Sequence, residues 1–266
     1  MLKKIVLFSL LLFSFNSLYA KGLLYLSTTT STENSGLLDV LNPIFEKKYD
    51  VQIKSIAVGT GKALRLAENG DADVLFVHAP AAELIFVKKG FGIDRKAVMH
   101  NDFVLLGPKT NPAQIQPDFS IVKALNYISR TQSIFISRGD DSGTHKKEMS
   151  LWAKAKLTPQ GDWYNSVGQG MGAVLNIAHE KKAYTLTDRG TYLAYQNKLD
   201  LVILSQGDPE LFNPYHIMAV NPKKHPHVRY DLAKKYIAFL TSAEGQAIIK
   251  QFKKQGEQLF YTDAIK

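Results

Sequence analysis

Apolar and polar residues follow two different periods along the first third of the chain. Short apolar or alternating runs at 22–28, 51–58 and 72–79 are typical of β-strands. Between them, the segments 36–50 and 62–70 carry apolar residues at helical spacing, and the second of these ends in a glycine. The resulting order β-α-β-α-β favours a parallel sheet with helices on both faces.

Two later strand-like segments connect the halves of the chain. The run 101–108 ends in a proline, and the run 213–222 is bracketed by prolines. The interval between them has its own strand-like and helix-like segments. We therefore predict two α/β lobes joined by two strand-like hinges, with lobe I formed by residues 21–104 plus 217–266 and lobe II by residues 105–216. A single continuous sheet is the alternative, because periodicity does not fix topology.

The N-terminal segment has the form of an export signal. Lys3 and Lys4 make a basic start, residues 5–15 are almost wholly apolar, and Ala20 ends the segment with a small side chain. The apolar run is too short to span a bilayer and lacks the polar face of an amphipathic anchor. We expect residues 1–20 to be a cleaved signal peptide and the rest of the chain to reach the periplasm.

The amino-acid composition excludes some kinds of functional site and makes others improbable candidates. The chain contains no cysteine, which excludes disulfides, thiol nucleophiles and thiolate metal sites. Its formal net charge of +9 comes from scattered lysines, which are typical of a solvated surface, with steering of a small anion as the functional alternative. His78, His100 and the histidines at 225–227 have no convincing metal-ligand spacing. We expect no cofactor, no bound metal cation, no nucleic-acid partner and a monomeric protein.

Four loops rich in hydroxyl groups or glycine lie where a strand is predicted to end and a helix to begin. They cover residues 26–38, 58–64, 137–148 and 165–178. A helix N-terminus presents unpaired N–H groups and the positive end of its dipole, so each loop is a potential anion site. Taken singly, each loop is explained as well by helix capping and turn formation. Their fourfold recurrence predicts that they converge on one cleft between the lobes.

An enzyme is the main competing interpretation. Asp140, Ser142 and His145 are the residue types of a hydrolase triad, but the sequence around Ser142 lacks the G-x-S-x-G turn. Ser142 and His145 are also too close in the chain to meet easily. A basic adaptor for an acidic partner is a further alternative, and it requires a contiguous basic patch. We expect a binding protein and no catalytic residues.

Several of these motifs resemble a known family. The stretch "SRGDDSGTH" at 137–145 resembles the arginine-x-aspartate-x-serine-glycine-threonine loop of phosphate-binding periplasmic receptors. The closing helix at 239–252 is similar to that of the wider molybdate, tungstate and phosphate receptor group. The stretches 26–49, 137–148 and 188–195 together resemble the tungstate-binding receptors of ABC importers. The resemblance covers nearly the whole chain after residue 20.

The resemblance implies a class II periplasmic binding protein, whose two lobes close on an oxyanion and present it to an ABC permease in the inner membrane. It implies tungstate as the ligand, with molybdate or another oxyanion as the alternative, and Asp140 as support for the guanidinium of the binding arginine. Which of Thr28, Thr29 and Thr30 faces the ligand stays open. The implied ligand contacts are Thr29, Thr30, Ser31, Thr60, Arg138, Ser142, Gly143, Thr144, Gly170, Met171 and Gly172.

One departure from the phosphate receptors concerns His78. Those receptors place an aspartate after a buried strand and before Ala-Pro, where this chain has His78. Phosphate keeps a proton at neutral pH that an acceptor carboxylate receives, whereas tungstate and molybdate are fully deprotonated and need donors only. The replacement argues against phosphate. We expect His78 to pack beside the cleft rather than to bind the ligand.

Overall fold

The computed structural model describes residues 22–264, so the predicted signal peptide lies outside the described residues. None of the helices within this range is long and apolar enough to cross a membrane. The strands are β1 (Gly22–Thr29), β2 (Val51–Val58), β3 (Val74–Val77), β4 (Gly92–Pro108), β5 (Phe135–Ser137), β6 (Tyr164–Ser166), β7 (Thr185–Asp188), β8 (Leu201–Ser205), β9 (Phe212–Val220), β10 (Lys253–Lys254), β11 (Glu257–Gln258) and β12 (Tyr261–Thr262).

Helices alternate with these strands. Short 3₁₀ turns at Gln196–Lys198 and Pro209–Leu211 precede β8 and β9. The α-helices are α1 (Thr30–Ser35), α2 (Leu37–Tyr49), α3 (Thr60–Asn69), α4 (Pro80–Lys88), α5 (Ile121–Arg130), α6 (Gly143–Lys154), α7 (Met171–Glu180), α8 (Arg189–Tyr195), α9 (Tyr230–Leu240) and α10 (Ala243–Gln251).

The first three strands form the parallel unit that the sequence predicts. β1 lies between β2 and β3 and is parallel to both, with Leu26 opposite Ser55 in β2 and Val74 in β3. The carboxyl ends of these strands therefore share one edge, and α1 and α3 begin there. Gly70 ends α3 in the left-handed region (φ 82°), as its position in the sequence predicts.

The rest of this sheet is antiparallel, which the β-α-β-α-β order of the first three strands does not predict. β3 pairs with β9, and β9 pairs with β4, in antiparallel register. The reason is that β4 carries the chain away from the first three strands and β9 brings it back, so the two crossing strands run in opposite directions.

β4 is a 17-residue strand that belongs to both parts of the molecule. From Gly92 to Asp102 it pairs with β9, and from Phe103 to Pro108 it pairs with β7 and β8. Hydrogen bonds thereby connect eight strands through β4. The pairing changes partner between Asp102 and Phe103, while the residue boundaries of the two lobes stay predictions. The sequence indicated only the apolar half of β4, because charged residues at 94–96 interrupt the apolar pattern of the other half.

Separate apolar cores lie on the two sides of this change in pairing. Around β1–β3, the first core is built from strands, α2 and the C-terminal helices, with Leu24, Phe45 and Tyr236 fully buried. Beyond Phe103, a second core packs α5 and α6 against β5 and β7 around Phe135 and Trp152. Truncating such an aromatic residue to alanine costs about 3–5 kcal/mol. Each lobe therefore holds its loops on a rigid base of its own.

Candidate functional site

Loops from both lobes enclose a small polar cavity. Its volume is about 10 Å³, so it has room for only a very small molecule or ion. A cavity of this size fits a compact ion rather than an organic ligand. Its lining residues are Thr29, Thr30, Ser31, Val58, Gly59, Thr60, His78, Arg138, Ser142, Gly143 and Thr144.

The first loop joins β1 to the short helix α1. Thr29 has extended backbone angles and caps α1, with its Oγ1 accepting from the N–H of Thr32 at 3.3 Å. Thr28 donates instead to the carbonyl of Phe76 on β3 at 2.8 Å, so its hydroxyl is used inside the sheet. Of the three candidate threonines, Thr29 and Thr30 therefore line the cavity and Thr28 does not.

The second loop contributes Thr60, the first residue of α3. This side chain is 1% exposed. Within residues 22–264, its Oγ1 has no hydrogen-bond partner. A buried polar atom without a partner costs about 1–3 kcal/mol, and it is common at sites that bind a ligand. Thr60 thus offers a ready donor to the cavity.

The third loop supplies the buried cation of the site. Arg138 is 4% exposed and donates to Oδ2 of Asp140 from Nη2 at 2.5 Å and from Nε at 3.2 Å. Burial acts to raise the pKa of Asp140, but hydrogen bonds from Arg138 and Ser142 outweigh it and hold that pKa below its usual value. Asp140 therefore stays ionised and orients the guanidinium, while no hydrogen bond among the described residues uses Nη1 of Arg138.

Helix α6 begins at this third loop. Ser142 is its N-cap, with Oγ accepting from the N–H of His145 at 3.2 Å. A Cβ added at Gly143 lies 3.0 Å from Oγ1 of Thr60, which belongs to the other side of the cavity. A larger residue would make this contact tight, so glycine favours the close approach of the second and third loops.

The residues of the hydrolase alternative do not form a triad. The His145 ring accepts at Nδ1 from the N–H of Asp141 at 3.1 Å, and its contact with Ser142 is made by the backbone. Asp140 is bound to Arg138. Ser142 is therefore a helix cap beside a cation, and the ring of His145 is not placed to activate it.

The fourth loop stands apart from the cavity lining. Met171, the first residue of α7, is 3% exposed and packs in a core with residues of β4, and Gly172 faces the hydroxyl of Tyr195. The loop approaches the third one through the N–H of Gln169, which donates to the carbonyl of Arg138 at 3.2 Å. The lining does not include Gly170, Met171 or Gly172, and their contact with a ligand stays a prediction.

His78 is a cavity residue that the sequence analysis left out of the ligand set. It stacks on Tyr215 with a centroid separation of 4.6 Å, the packing role that we expected. It also lies 2.9 Å from Oγ of Ser31 through Nε2 and 2.8 Å from Oδ1 of Asn213 through Nδ1. Its place after the buried strand β3 was the available signal. The contacts of His78 with Ser31 and Asn213 join distant parts of the chain, so no local sequence pattern predicts them.

A wider cleft of about 400 Å³ adjoins the small cavity and shares His78 and Gly143 with it. Its other walls are largely apolar, with Phe103, Phe212 and Lys147 among them. The buried donors are concentrated in the small cavity, which is therefore the candidate binding site. Residues 22–264 contain no group of three or more histidine, aspartate or glutamate side chains that could hold a metal ion.

Comparison with known proteins places this geometry in a family. The sequence model of the PBP superfamily domain matches residues 23–244. The chain belongs to this superfamily, the periplasmic binding proteins. The tungstate-binding protein TupA of Peptoclostridium acidaminophilum is 47% identical over 251 residues, which are 93% of this chain and 88% of TupA.

Two solved structures agree with this assignment. The tungstate ABC transporter protein from Geobacter sulfurreducens is 57% identical, with a TM-score of 0.80 over 86% of this chain and 98% of that one. The tungstate-binding protein TupA from Desulfovibrio alaskensis G20 is 45% identical, with a TM-score of 0.80 over 91% of this chain and 99% of that one. The predicted fold, a class II periplasmic binding protein of two α/β lobes, is confirmed, as is the resemblance to tungstate receptors.

Proposed function

We propose that this protein captures a tetrahedral oxyanion, tungstate, between its lobes as the substrate-binding component of an ABC importer. The observation that carries the proposal is the small cavity lined by both the buried cation of Arg138 and the hydroxyl of Thr60, which has no hydrogen-bond partner among residues 22–264. A fully deprotonated oxyanion supplies acceptors to both. The tungstate-binding relatives at 45–57% identity support the same ligand.

The binding energy comes from charge-assisted hydrogen bonds. Each contributes roughly 1.5–3 kcal/mol, so about seven or eight of them give about −12 kcal/mol, the nanomolar range, after ordering and desolvation costs. Arg138 supplies the positive charge, and the hydroxyls of Thr29, Thr30 and Thr60 with the N–H groups at the start of α6 supply direction. In the liganded protein, the backbone of residues 170–172 completes this shell.

Closure follows from the position of the donors. Thr60 follows β2 and Arg138 follows β5, so one ion bridges the two lobes and favours the closed state over the open one. The crossing strands β4 and β9 are the natural hinges. The closed form is the state that the permease recognises. The signal-like segment 1–20 delivers the protein to the periplasm, where it acts as a monomer.

Selectivity follows from the absence of an ionised acceptor. By the family resemblance, His78 stands where phosphate receptors have the aspartate that receives the phosphate proton. Sulfate is too small to reach all donors at once, and phosphate presents a proton to a donor. Tungstate and molybdate differ little in size and charge, and the named relatives favour tungstate.

Calorimetric titration of residues 21–266 tests the proposal, with tungstate, molybdate, sulfate and phosphate added separately. We expect one-to-one nanomolar binding of tungstate, weaker binding of molybdate and no heat from phosphate. Absence of heat with all four ions would refute the receptor function. A preference for molybdate would keep the oxyanion receptor and change the assigned ligand.

A further inference from the structure

A line of buried hydrogen bonds leads from the cavity to the crossing strands. Oγ of Ser31 lies 2.9 Å from Nε2 of His78, and Nδ1 of His78 lies 2.8 Å from Oδ1 of Asn213. Nδ2 of Asn213 then donates to Oδ1 of Asn101 at 2.7 Å. Asn101 on β4 and Asn213 on β9 are register partners. All four side chains are at most 4% exposed.

The imidazole of His78 carries a single proton in this line. Burial lowers the pKa of His78, with Arg138 acting in the same direction and Asp188, Asn213 and Glu83 acting against it. A neutral imidazole has one N–H and one acceptor nitrogen. Because Oδ1 of Asn213 is an acceptor, the proton lies on Nδ1 and Nε2 accepts the hydroxyl hydrogen of Ser31. In this polarity Ser31 has only lone pairs left for the cavity and for Oγ1 of Thr29, which lies 3.0 Å from its Oγ. Lone pairs facing the cavity are unfavourable for a deprotonated oxyanion.

The same side-chain positions support the opposite polarity. The oxygen and nitrogen of an asparagine amide exchange places when the amide turns by half a revolution. In the first polarity, Nδ2 of Asn101 is buried without a partner among the described residues. Turning both amides lets Nδ2 of Asn101 donate to Asn213 and Nδ2 of Asn213 donate to Nδ1 of His78. Before the turn, Nδ2 of Asn213 lies 3.3 Å from the hydroxyl of Tyr215 and donates to it. After the turn, Oδ1 of Asn213 takes this position, and the Tyr215 hydroxyl donates to Oδ1.

In this second polarity, the proton of His78 lies on Nε2. Nε2 then donates to Oγ of Ser31, which frees the hydroxyl hydrogen of Ser31. In the empty site this hydrogen is accepted by Oγ1 of Thr29, 3.0 Å from Oγ of Ser31, and an oxyanion in the cavity competes for it. The turn also replaces an unpaired buried N–H donor on Asn101 by an unpaired carbonyl oxygen, which proteins tolerate better. An oxyanion that needs only donors selects this arrangement.

Building on the proposed function, we propose that His78 is a positioning residue that moves its proton from Nδ1 to Nε2 when tungstate binds and so turns the Ser31 hydroxyl hydrogen toward the ligand. The tautomer then determines selectivity. The Nδ1–H form presents an acceptor suited to a protonated oxyanion such as hydrogen phosphate, and the Nε2–H form presents a donor suited to tungstate.

Nitrogen-15 NMR of the histidine rings tests the tautomer directly. Residues 21–266 are labelled at histidine, and the His78 signals are assigned among the seven histidines by their loss in His78→Gln. We expect Nδ1–H without ligand and Nε2–H with tungstate. An unchanged Nδ1–H tautomer, or two protonated ring nitrogens, in the tungstate complex overturns the inference. Failure of the wild-type protein to bind tungstate refutes the proposed function instead, so the two failures are distinguishable.

Two substitutions of His78 distinguish the role of its Nε2 from that of its Nδ1. Glutamine places its amide where Nε2 of His78 contacts Ser31, whereas asparagine reaches only the position of Nδ1. We expect His78→Gln to keep tungstate affinity within about threefold and His78→Asn to lose about tenfold or more. Adding Ser31→Ala to His78→Asn should cause little further loss, because both remove the same hydrogen bond to the ligand. Equal losses in the glutamine and asparagine variants, or fully additive losses in the double variant, contradict the role.

Discussion

Arg138 and Asp140 form an ion pair between a buried guanidinium and a partly buried carboxylate, in which two guanidinium nitrogens share one carboxylate oxygen, at 2.5 Å from Nη2 and 3.2 Å from Nε. The other oxygen of Asp140 accepts from the N–H of Ser142 at 3.2 Å, so the carboxylate ties the cation to the start of α6. This arrangement fixes the plane of the guanidinium before a ligand arrives. A preorganised donor loses little entropy on binding, which raises affinity.

Arg138→Lys tests whether this planar geometry matters beyond charge. Lysine keeps the positive charge but cannot hold Asp140 through two nitrogens while a third faces the cavity. We expect tungstate affinity to fall by about 10- to 100-fold, the equivalent of one charge-assisted hydrogen bond. Calorimetry of the purified variant measures the change.

Arg189→Lys is the matched control for this substitution. Arg189 also forms a two-nitrogen pair, with Asp102 at 2.6 Å from both Nε and Nη2, but it does not line the cavity. We expect its tungstate affinity to equal that of the wild type. Comparable losses in the two lysine variants would indicate a general effect of arginine removal and contradict a specific role of Arg138.

Thr60→Val separates binding from stability. Valine has nearly the same shape and removes Oγ1, which has no partner in the described part of the chain, so the free energy of unfolding of the ligand-free protein should rise by about 1 kcal/mol. Tungstate affinity should fall by at least about tenfold, because one donor to the ion is lost. Urea unfolding and calorimetry measure the two effects.

Thr185→Val provides the opposite case. Thr185 is equally buried, but its Oγ1 donates to the carbonyl of Ile136 at 2.8 Å and lies outside the cavity. We expect this variant to lose about 1–3 kcal/mol of stability and to bind tungstate normally. If Thr60→Val is destabilised in the same way, the hydroxyl of Thr60 has a structural partner and the prediction is wrong.

The loops that supply this site are visible in the sequence because each follows a short apolar run. Parallel strands bring their carboxyl ends to one edge, so the approach of Ser31 to Thr60 follows from local pattern and sheet geometry. The position of Arg138 beside these residues depends on how the two lobes pack together, which local pattern and sheet geometry do not predict. The family resemblance, rather than the pattern, supplied the individual ligand residues.

Contacts across the hinge could not be predicted in this way. His78 meets Asn213, 135 residues later, through a register that forms only when β9 returns beside β3. The polar half of β4 was missed because charged residues at 94–96 obscure the apolar pattern of a strand. Long-range pairing is decided by the whole sheet and leaves little trace in a local stretch.

Gly143→Ala tests the closeness of the lobes. The added methyl group would lie 3.0 Å from Oγ1 of Thr60 and 3.4 Å from Cε1 of His78, inside normal contact distance of the first. Alanine favours a helix over glycine by up to about 1 kcal/mol, so α6 itself is not weakened. We expect loss of tungstate affinity by more than about tenfold with α6 still folded.

Calorimetry and circular dichroism check this prediction. In the double variant Gly143→Ala/Thr60→Ala, the atom that the methyl group approaches is gone, so any strain in the ligand-free protein should disappear while binding stays weak. Wild-type affinity in Gly143→Ala would show that the second and third loops do not need to meet at this distance.

Glu148 makes stability depend on pH. Its side chain is 2% exposed and accepts from Ser137 Oγ at 2.7 Å, Trp152 Nε1 at 3.0 Å and Tyr164 Oη at 2.7 Å. Burial raises the pKa of Glu148 to about 7, against the opposing effect of these three hydrogen bonds. The folded protein thus holds a proton on Glu148 at pH values where the unfolded chain, with a pKa of 4.5, has released it.

The sign of the effect follows from this difference. The stabilisation by protonated Glu148 is fully present below about pH 4.5 and is lost as the pH rises through about 7. The loss is about 3 kcal/mol in free energy of unfolding.

Glu148→Gln stays neutral at every pH, so we expect it to match the wild type near pH 4.5 and to exceed its stability by about 3 kcal/mol at pH 8. Urea unfolding of both proteins from pH 4.5 to 8 measures the difference, in which contributions from the other ionisable groups cancel. Parallel curves across this range would mean that Glu148 is already ionised in the folded protein at low pH.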